Sequence, residues 1–312
     1  MLKLTSVLKS RQSLSKLIGV VGTIAAIAVF IREPSFPTPD KLIIFLALVF
    51  MIFGRALEAI RRFGLFVLLI LVYESFRGIA DQLNSHIFYL TAPRVDQAVF
   101  GGLPTAGLQN WLWHGQVQWY DYVLYLPYFL HFVIPLGLGL LIWRNRDKHF
   151  WRVMNTFLIG AFLAFVTFLV FPAAPPWMAS NNGFIEPITR VSSDVWSSLG
   201  IHDFPSVYQK ISPNPVAAIP SLHAIWATLL VIFVWKLYGR RWAAVSAIYP
   251  VLIFAGTVYT GEHYVFDLAV GVVYAVFAYL TTPYIMKFLS RRIRSLKTAF
   301  GRLNLLSYPH KN

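Results

Sequence analysis

Cysteine is absent from this chain, which excludes disulfides, thiolate nucleophiles and any cysteine-ligated metal. Charge is scarce too. Asp, Glu, Lys and Arg make up only 13% of the residues, where a soluble domain carries about 25%. Acidic residues are the scarcest class, 13 against 27 Lys and Arg, leaving a net charge of +14. What fills the 312 residues instead is 57% hydrophobic and 16% aromatic, with a mean hydropathy of +0.60. That composition belongs to an integral membrane protein. The positive charge does not point to nucleic acid, because the basic residues punctuate apolar runs rather than forming a patch. No His/Asp/Glu cluster calls for a metal. Gly101-Gly102 lacks a following Lys and is not a nucleotide loop, so no cofactor is expected.

The apolar runs predict about eight transmembrane helices in an all-α fold. A basic N-terminus (Lys3, Lys9, Arg11, Lys16) precedes Leu17–Ile31, which lacks a small-x-small cleavage site and reads as a retained first span. Pro34, Pro37 and Pro39 form a short extended loop. The second run, Leu42–Gly54, is short for a crossing of about 20 residues, so its helix is expected to continue towards Ile60. Further spans follow at Phe63–Phe76, Tyr122–Trp143, Val153–Phe171, Ile219–Tyr238, Trp242–Tyr259 and Tyr264–Met286. Segments 78–120 and 172–218 do not span; the first carries Trp111, Trp113 and Trp119, a density suited to the headgroup level. We divide the chain into two N-terminal helices (1–62), a catalytic membrane domain (63–286) and a basic cytoplasmic tail (287–312). With a cytoplasmic N-terminus, the basic loops at 55–62, 144–152 and 236–241 and the tail all fall inside. Both long segments and the turn at His263 fall outside.

Two motifs stand at that outer edge. Pro220-Ser221-Leu222-His223 ends a proline-rich loop and opens an apolar helix, whose first-turn amides suit a phosphate oxygen with Ser221 beside them. Forty residues later comes Gly261-Glu262-His263-Tyr264-Val265-Phe266-Asp267. Here His263 and Asp267 are four apart on one helical face, and a carboxylate one turn inside an apolar span is costly unless paired or functional. Glu262 points away and reads as a solvated helix-end charge. Each motif has a bland reading, a histidine satisfying a helix-end carbonyl or a structural His/Asp pair. Two histidines and a carboxylate on one membrane face are, however, what in-line phosphoryl transfer requires: one imidazole to attack phosphorus, the carboxylate to orient it, and the other imidazole to protonate the leaving oxygen. Developing charge also needs a cation, and Arg77, flanked by Glu74 and Asp81, is the best intramembrane candidate, ahead of Arg94, Arg190 and Lys210. Its bland alternative is snorkelling to headgroups. His131, between Pro127 and Pro135, either lines the substrate site or bridges a carbonyl that the prolines free. Asp121 reads as an interfacial helix-start charge.

Pro-Ser-x-His followed by His-x3-Asp resembles the type-2 phosphatidic acid phosphatase (PAP2) superfamily. Ala173-Ala174-Pro175-Pro176-Trp177, Pro220–Ala224 and His263–Leu268 are similar to its inositol phosphorylceramide synthase-like branch, most strongly over 172–271 and more weakly over 73–135. The resemblance implies a six-helix catalytic bundle and metal-free chemistry. It makes His223 the general acid/base, His263 the nucleophile and Asp267 its orienter. The chain departs from the family's phosphatases by lacking Lys-x6-Arg-Pro, and by carrying Gly256-Thr257 where they place Ser-Arg. The expectation is a phosphotransferase moving a phosphoinositol-like headgroup from a phospholipid donor to a lipid or polyol hydroxyl. Ser221, Arg77 and His131 are expected to bind substrate. A lipid phosphate or polyprenyl pyrophosphate phosphatase, and a non-catalytic lipid carrier, are the alternatives. Carriers, though, usually show inverted repeats, and we detect none here.

Overall fold

The computed structural model describes residues 2–32, 39–53, 56–200 and 214–306. Helix dominates because every backbone amide in a bilayer needs an internal partner. No strand occurs among the described residues, only isolated bridges that join Phe88, Ala173 and Ala217. The long elements are α1 (Leu2–Arg32), α2 (Pro39–Ile52), α3 (Ala56–Leu83), α6 (Trp119–Phe129), α7 (Val133–Asn145), α8 (Phe150–Val170), α11 (Leu222–Tyr238), α13 (Ile248–Tyr259) and α14 (Val265–Leu306). Short helices α4 (Thr91–Phe100), α5 (Pro104–Leu112), α9 (Pro176–Asn181), α10 (Val191–Ser198) and α12 (Arg240–Ser246) complete the set.

Five stretches are long and apolar enough to cross a bilayer: Ser13–Arg32, Trp119–Asn145, Asp147–Val170, Arg240–Tyr259 and Val265–Ile293. Helix α11 is apolar but shorter, at 17 residues. The protein is therefore an all-α, multi-pass membrane protein. Helix α2 ends at Ile52 and α3 begins at Ala56, so the residues up to Ile60 belong to α3 and do not prolong α2 as expected. Helix α14 continues past Met286 to Leu306, through much of the stretch read as a basic tail. The prolines act where backbone geometry says they must. A 3₁₀ turn at Leu130–Phe132 separates α6 from α7 between Pro127 and Pro135, and Ala247 separates α12 from α13 three residues before Pro250.

The core lies between α3, α7, α8, α11 and α14, where Phe66, Tyr73, Phe157, Phe168, Trp226 and Phe233 are buried. Antiparallel succession gathers α4, α5, α9 and α10 at one end of this bundle. There Asn84 Nδ2 donates to Leu169 O (3.0 Å), and the Phe88 amide donates to Pro172 O (2.8 Å). Gln109 binds Tyr259 O at 2.8 Å and exchanges two hydrogen bonds with the Thr189 backbone. At the other end Arg62 pairs with Asp147, and Arg146 lies over the Tyr238 ring.

Candidate active site

The two motifs meet where α11 and α14 begin. Gly271 makes this possible: a Cβ there would stand 2.6 Å from Ser221 O and 2.7 Å from Ala224 Cβ, so only glycine lets α14 approach the start of α11 so closely. The Ser221 amide donates to Asp267 O (3.1 Å), and Ser221 Oγ, fully buried, accepts from the Ala224 amide (3.4 Å) as the N-cap of α11. His223 is thereby fixed in the first turn.

His223 Nδ1 stands 3.1 Å from His263 Nε2, and His263 Nδ1 stands 3.2 Å from Asp267 Oδ2. The three groups form one continuous line. An ionised Asp267 can only accept, so His263 carries its proton on Nδ1 and presents the Nε2 lone pair to His223. The same Oδ2 also accepts from the Tyr264 amide (2.9 Å), so the carboxylate is held from two sides. Asp267 is fully buried and His263 6% exposed, so solvent does not screen this pairing. The His223 ring is flanked by Tyr128, stacked at 4.3 Å, and by His131 at 4.4 Å between centroids.

His131 is buried, stacked on Trp226 at 4.4 Å, and neither of its ring nitrogens has a hydrogen-bond partner. It does not bridge a carbonyl. Arg77 donates to Glu74 Oε2 through Nε (3.1 Å) and Nη2 (2.7 Å), with only 16% of its side chain exposed. It does not snorkel, because its guanidinium is paired with Glu74 on the same helix. The Asp81 side chain and Lys210 lie outside what is described.

Two expectations fail. Glu262 is not solvated: at 5% exposure it receives Arg190 through Nε (2.9 Å) and Nη2 (3.4 Å), and it also accepts from Ser192 Oγ. An ion pair removed from water has to be this well bonded to persist. Arg190, lying 4.2 Å over the Trp177 ring, thus braces the residue before His263. Asp121 begins its helix as expected but is fully buried, closing a capping box with Gln118 and accepting from Tyr259 Oη (2.6 Å).

Asp96 escaped the sequence reading. Fully buried, it accepts from the Val265 amide through Oδ2 and from the Phe266 amide through Oδ1, both at 2.9 Å. It caps the helix that carries Asp267 from 169 residues away. The signal available was an acid at i+4 from Ala92 on the buried face of the short helix α4. Gln109 was missed because its partners, Thr189 and Tyr259, are distant in sequence.

Comparison with known proteins identifies the family. Residues 94–281, more than half of the chain, match the PAP2 superfamily. The chain is also 32% identical, over 181 residues, to the phosphoinositol dihydroceramide synthase of Bacteroides thetaiotaomicron. That alignment covers 54% of this chain and 56% of the relative, so the chain matches little more than half of that curated protein's length. No solved structure matches. With the matched region running from α4 into α14 and enclosing both histidine motifs, the chain belongs to the PAP2 superfamily.

Proposed function

We propose that this protein is a membrane phosphotransferase that moves a phosphoinositol-type headgroup from a phospholipid to a lipid or polyol hydroxyl through a phosphohistidine. The continuous line His223–His263–Asp267 carries the reading. His263 Nε2 attacks phosphorus while Asp267 stabilises the positive charge that builds on the ring. The P–O bond to the diacylglycerol breaks, and His223 gives its Nδ1 proton to that leaving oxygen. In the second half an acceptor hydroxyl enters, His223 removes its proton, the new P–O bond forms and the P–N bond to His263 breaks. Arg77 supplies the positive charge to the phosphoryl oxygens. Ser221 Oγ, accepting at its cap, still has a proton to donate to one of them.

The activity for which the Bacteroides relative is named supports phosphoinositol as the group transferred and a dihydroceramide-like lipid as the acceptor. Loss of the family's usual phosphate-binding cations supports transfer over hydrolysis. We place the site on the extracytoplasmic face. Arg144, Arg146, Arg152, Lys236, Arg240 and Arg241 all lie at the end of the bundle away from His263, as basic cytoplasmic loops would. The test is purified protein in detergent with phosphatidylinositol labelled in the headgroup, with and without dihydroceramide. Labelled phosphoinositol on the ceramide supports transfer; free inorganic phosphate from phosphatidic acid or a polyprenyl pyrophosphate, with no transfer, makes the protein a phosphatase. Lipid movement that survives His263→Ala would make it a carrier.

A further inference from the structure

His223 cannot deliver a proton from its neutral state. A neutral imidazole that gave up its Nδ1 proton would become an imidazolate anion. The acid that protonates the leaving oxygen is therefore the imidazolium, with a proton on each nitrogen. After that step Nε2 keeps its proton, and bare Nδ1 takes the one that the acceptor hydroxyl releases. A cation has to be supported here on a half-buried side chain. Its Nδ1–H meets His263 Nε2 at 3.1 Å, and the rest of the support must come through the faces of the ring.

Those faces are provided by a column of rings. Tyr125, Tyr128 and His131 recur three residues apart, where α6 runs into the 3₁₀ turn Leu130–Phe132. At three residues per turn such side chains stand one above another. The His223 ring meets Tyr128 at 4.3 Å, nearly parallel at 23°, and His131 at 4.4 Å, tilted by 47°. Both neighbours are braced. Tyr125 stacks on Tyr128 at 5.2 Å and accepts from Trp196 Nε1 (2.7 Å), while Trp226 stacks on His131 at 4.4 Å. Tyr249 Oη donates to Pro127 O (3.0 Å), fixing the carbonyl just before Tyr128.

The two neighbours differ in what they can do. His131 is buried with neither ring nitrogen partnered, so a charge on it would bury unbonded N–H groups beside a second cation. It stays neutral. Tyr128 presents the face of an electron-rich ring, and a cation within about 6 Å of such a centroid is attracted to its quadrupole. The titratable groups facing His223 are thus His263, backed by Asp267, on α14, Tyr128 on α6, and His131 on the 3₁₀ turn. Arg77, the cation assigned to the phosphoryl oxygens, is itself paired with Glu74. We infer that Tyr128 is a positioning residue, whose ring face holds the His223 imidazole and favours the imidazolium from which the proton is delivered. Its catalytic meaning rests on the reading of His223 as general acid; the contact itself does not.

The test compares full-length wild type in detergent with Tyr128→Leu, Tyr128→Phe and protein carrying difluorinated or trifluorinated phenylalanine at position 128. Fluorine drains charge from the ring face and barely changes its shape, so the series separates π attraction from packing and folding. The first readout needs no turnover: His223 is titrated by NMR on protein with isotope-labelled histidine, its signal assigned with His223→Gln. Losing an attraction to the cation lets the proton leave at lower pH. The titration midpoint should therefore fall by about half a pH unit or more in Tyr128→Leu, stay close to wild type in Tyr128→Phe, and fall stepwise with fluorination. The second readout is the pH profile of kcat/KM for phosphatidylinositol. Its alkaline limb, where the acid is lost, should move to lower pH in the same order of variants. A His223 midpoint that ignores the fluorine series overturns the inference, whatever the enzyme transfers. A midpoint that follows the series while the alkaline limb stays still upholds the contact and contradicts the general-acid role of His223.

Discussion

At the scale of single residues, groups linked by contacts of 3.1 and 3.2 Å should show distinct losses when replaced. Replacing His263 by Ala removes the proposed nucleophile, and turnover of phosphatidylinositol should fall to background. His223→Ala removes proton transfer and should cost about 10²–10⁴-fold in kcat. Asp267→Asn keeps the shape but no longer fixes the Nδ1–H tautomer, so kcat should fall by about 10²-fold or more while donor affinity changes little. A steady-state comparison of the three variants reads all of this, and a mild His263→Ala phenotype would remove the nucleophile from the scheme. Asp96→Ala frees two capped amides and should lower stability by about 0.5–2 kcal/mol, read as a lower midpoint of thermal unfolding in detergent. Burial pushes the Asp96 carboxyl above the ordinary carboxylate range, against the pull of the two amides. The folded protein then keeps a proton that the unfolded chain has released, so this group's contribution to stability falls as pH rises from the unfolded to the folded value. Asp96→Asn should flatten that part of the pH profile. His223, His263 and Asp267 were legible in the sequence because motif spacing and the cost of an intramembrane carboxylate are local facts. Asp96 was not, because the amides it caps are 169 and 170 residues away.

At the scale of elements, geometry depends on close approaches between helices. A Cβ on Gly256 would meet Leu124 O at 2.1 Å, so α13 and α6 could not keep their contact, and Gly256→Ala should lower the yield of folded protein. Gly271→Ala tests a finer dependence. Its Cβ must push Ser221 away from α14, lengthening the 3.1 Å contact between His223 and His263. The expected outcome is a kcat at least tenfold lower with helix content by circular dichroism unchanged; unchanged kcat would uncouple helix spacing from chemistry. Five of the eight expected spans are matched by helices long and apolar enough to cross a bilayer, and these were legible from apolar runs; the short helices α4, α5, α9 and α10 were not. The way Glu262 points was not. A glutamate before a helix looks solvated until Arg190 and Ser192, brought in by the loop before α10 and by α10 itself, surround it. Only tertiary packing reveals that.

At the scale of the whole molecule, the His223–His263–Asp267 line lies at one end of the bundle, and Arg144, Arg146, Arg152, Lys236, Arg240 and Arg241 lie at the other. The absence of cysteine makes this directly testable, since single cysteines meet no background thiol. A cysteine at Gly115, in the loop before α6, should react with an impermeant maleimide from outside intact cells. One at Lys148, in the 3₁₀ turn before α8, should react only after the cells are opened. The reverse pattern would invert the protein in its membrane. The membrane character followed from composition, and the all-α architecture from apolar runs long enough to span as helices.

The central claim is a covalent intermediate on His263, and trapping it is the most direct measurement. Purified protein would be mixed with phosphatidylinositol tritiated in the inositol ring, without acceptor, and quenched in alkaline detergent. The expected result is a radiolabelled protein whose label is released by mild acid. The label should be absent in His263→Ala and discharged onto dihydroceramide when that acceptor is added. Transfer to dihydroceramide at an undiminished rate with no labelled protein, or labelling that persists in His263→Ala, would contradict it.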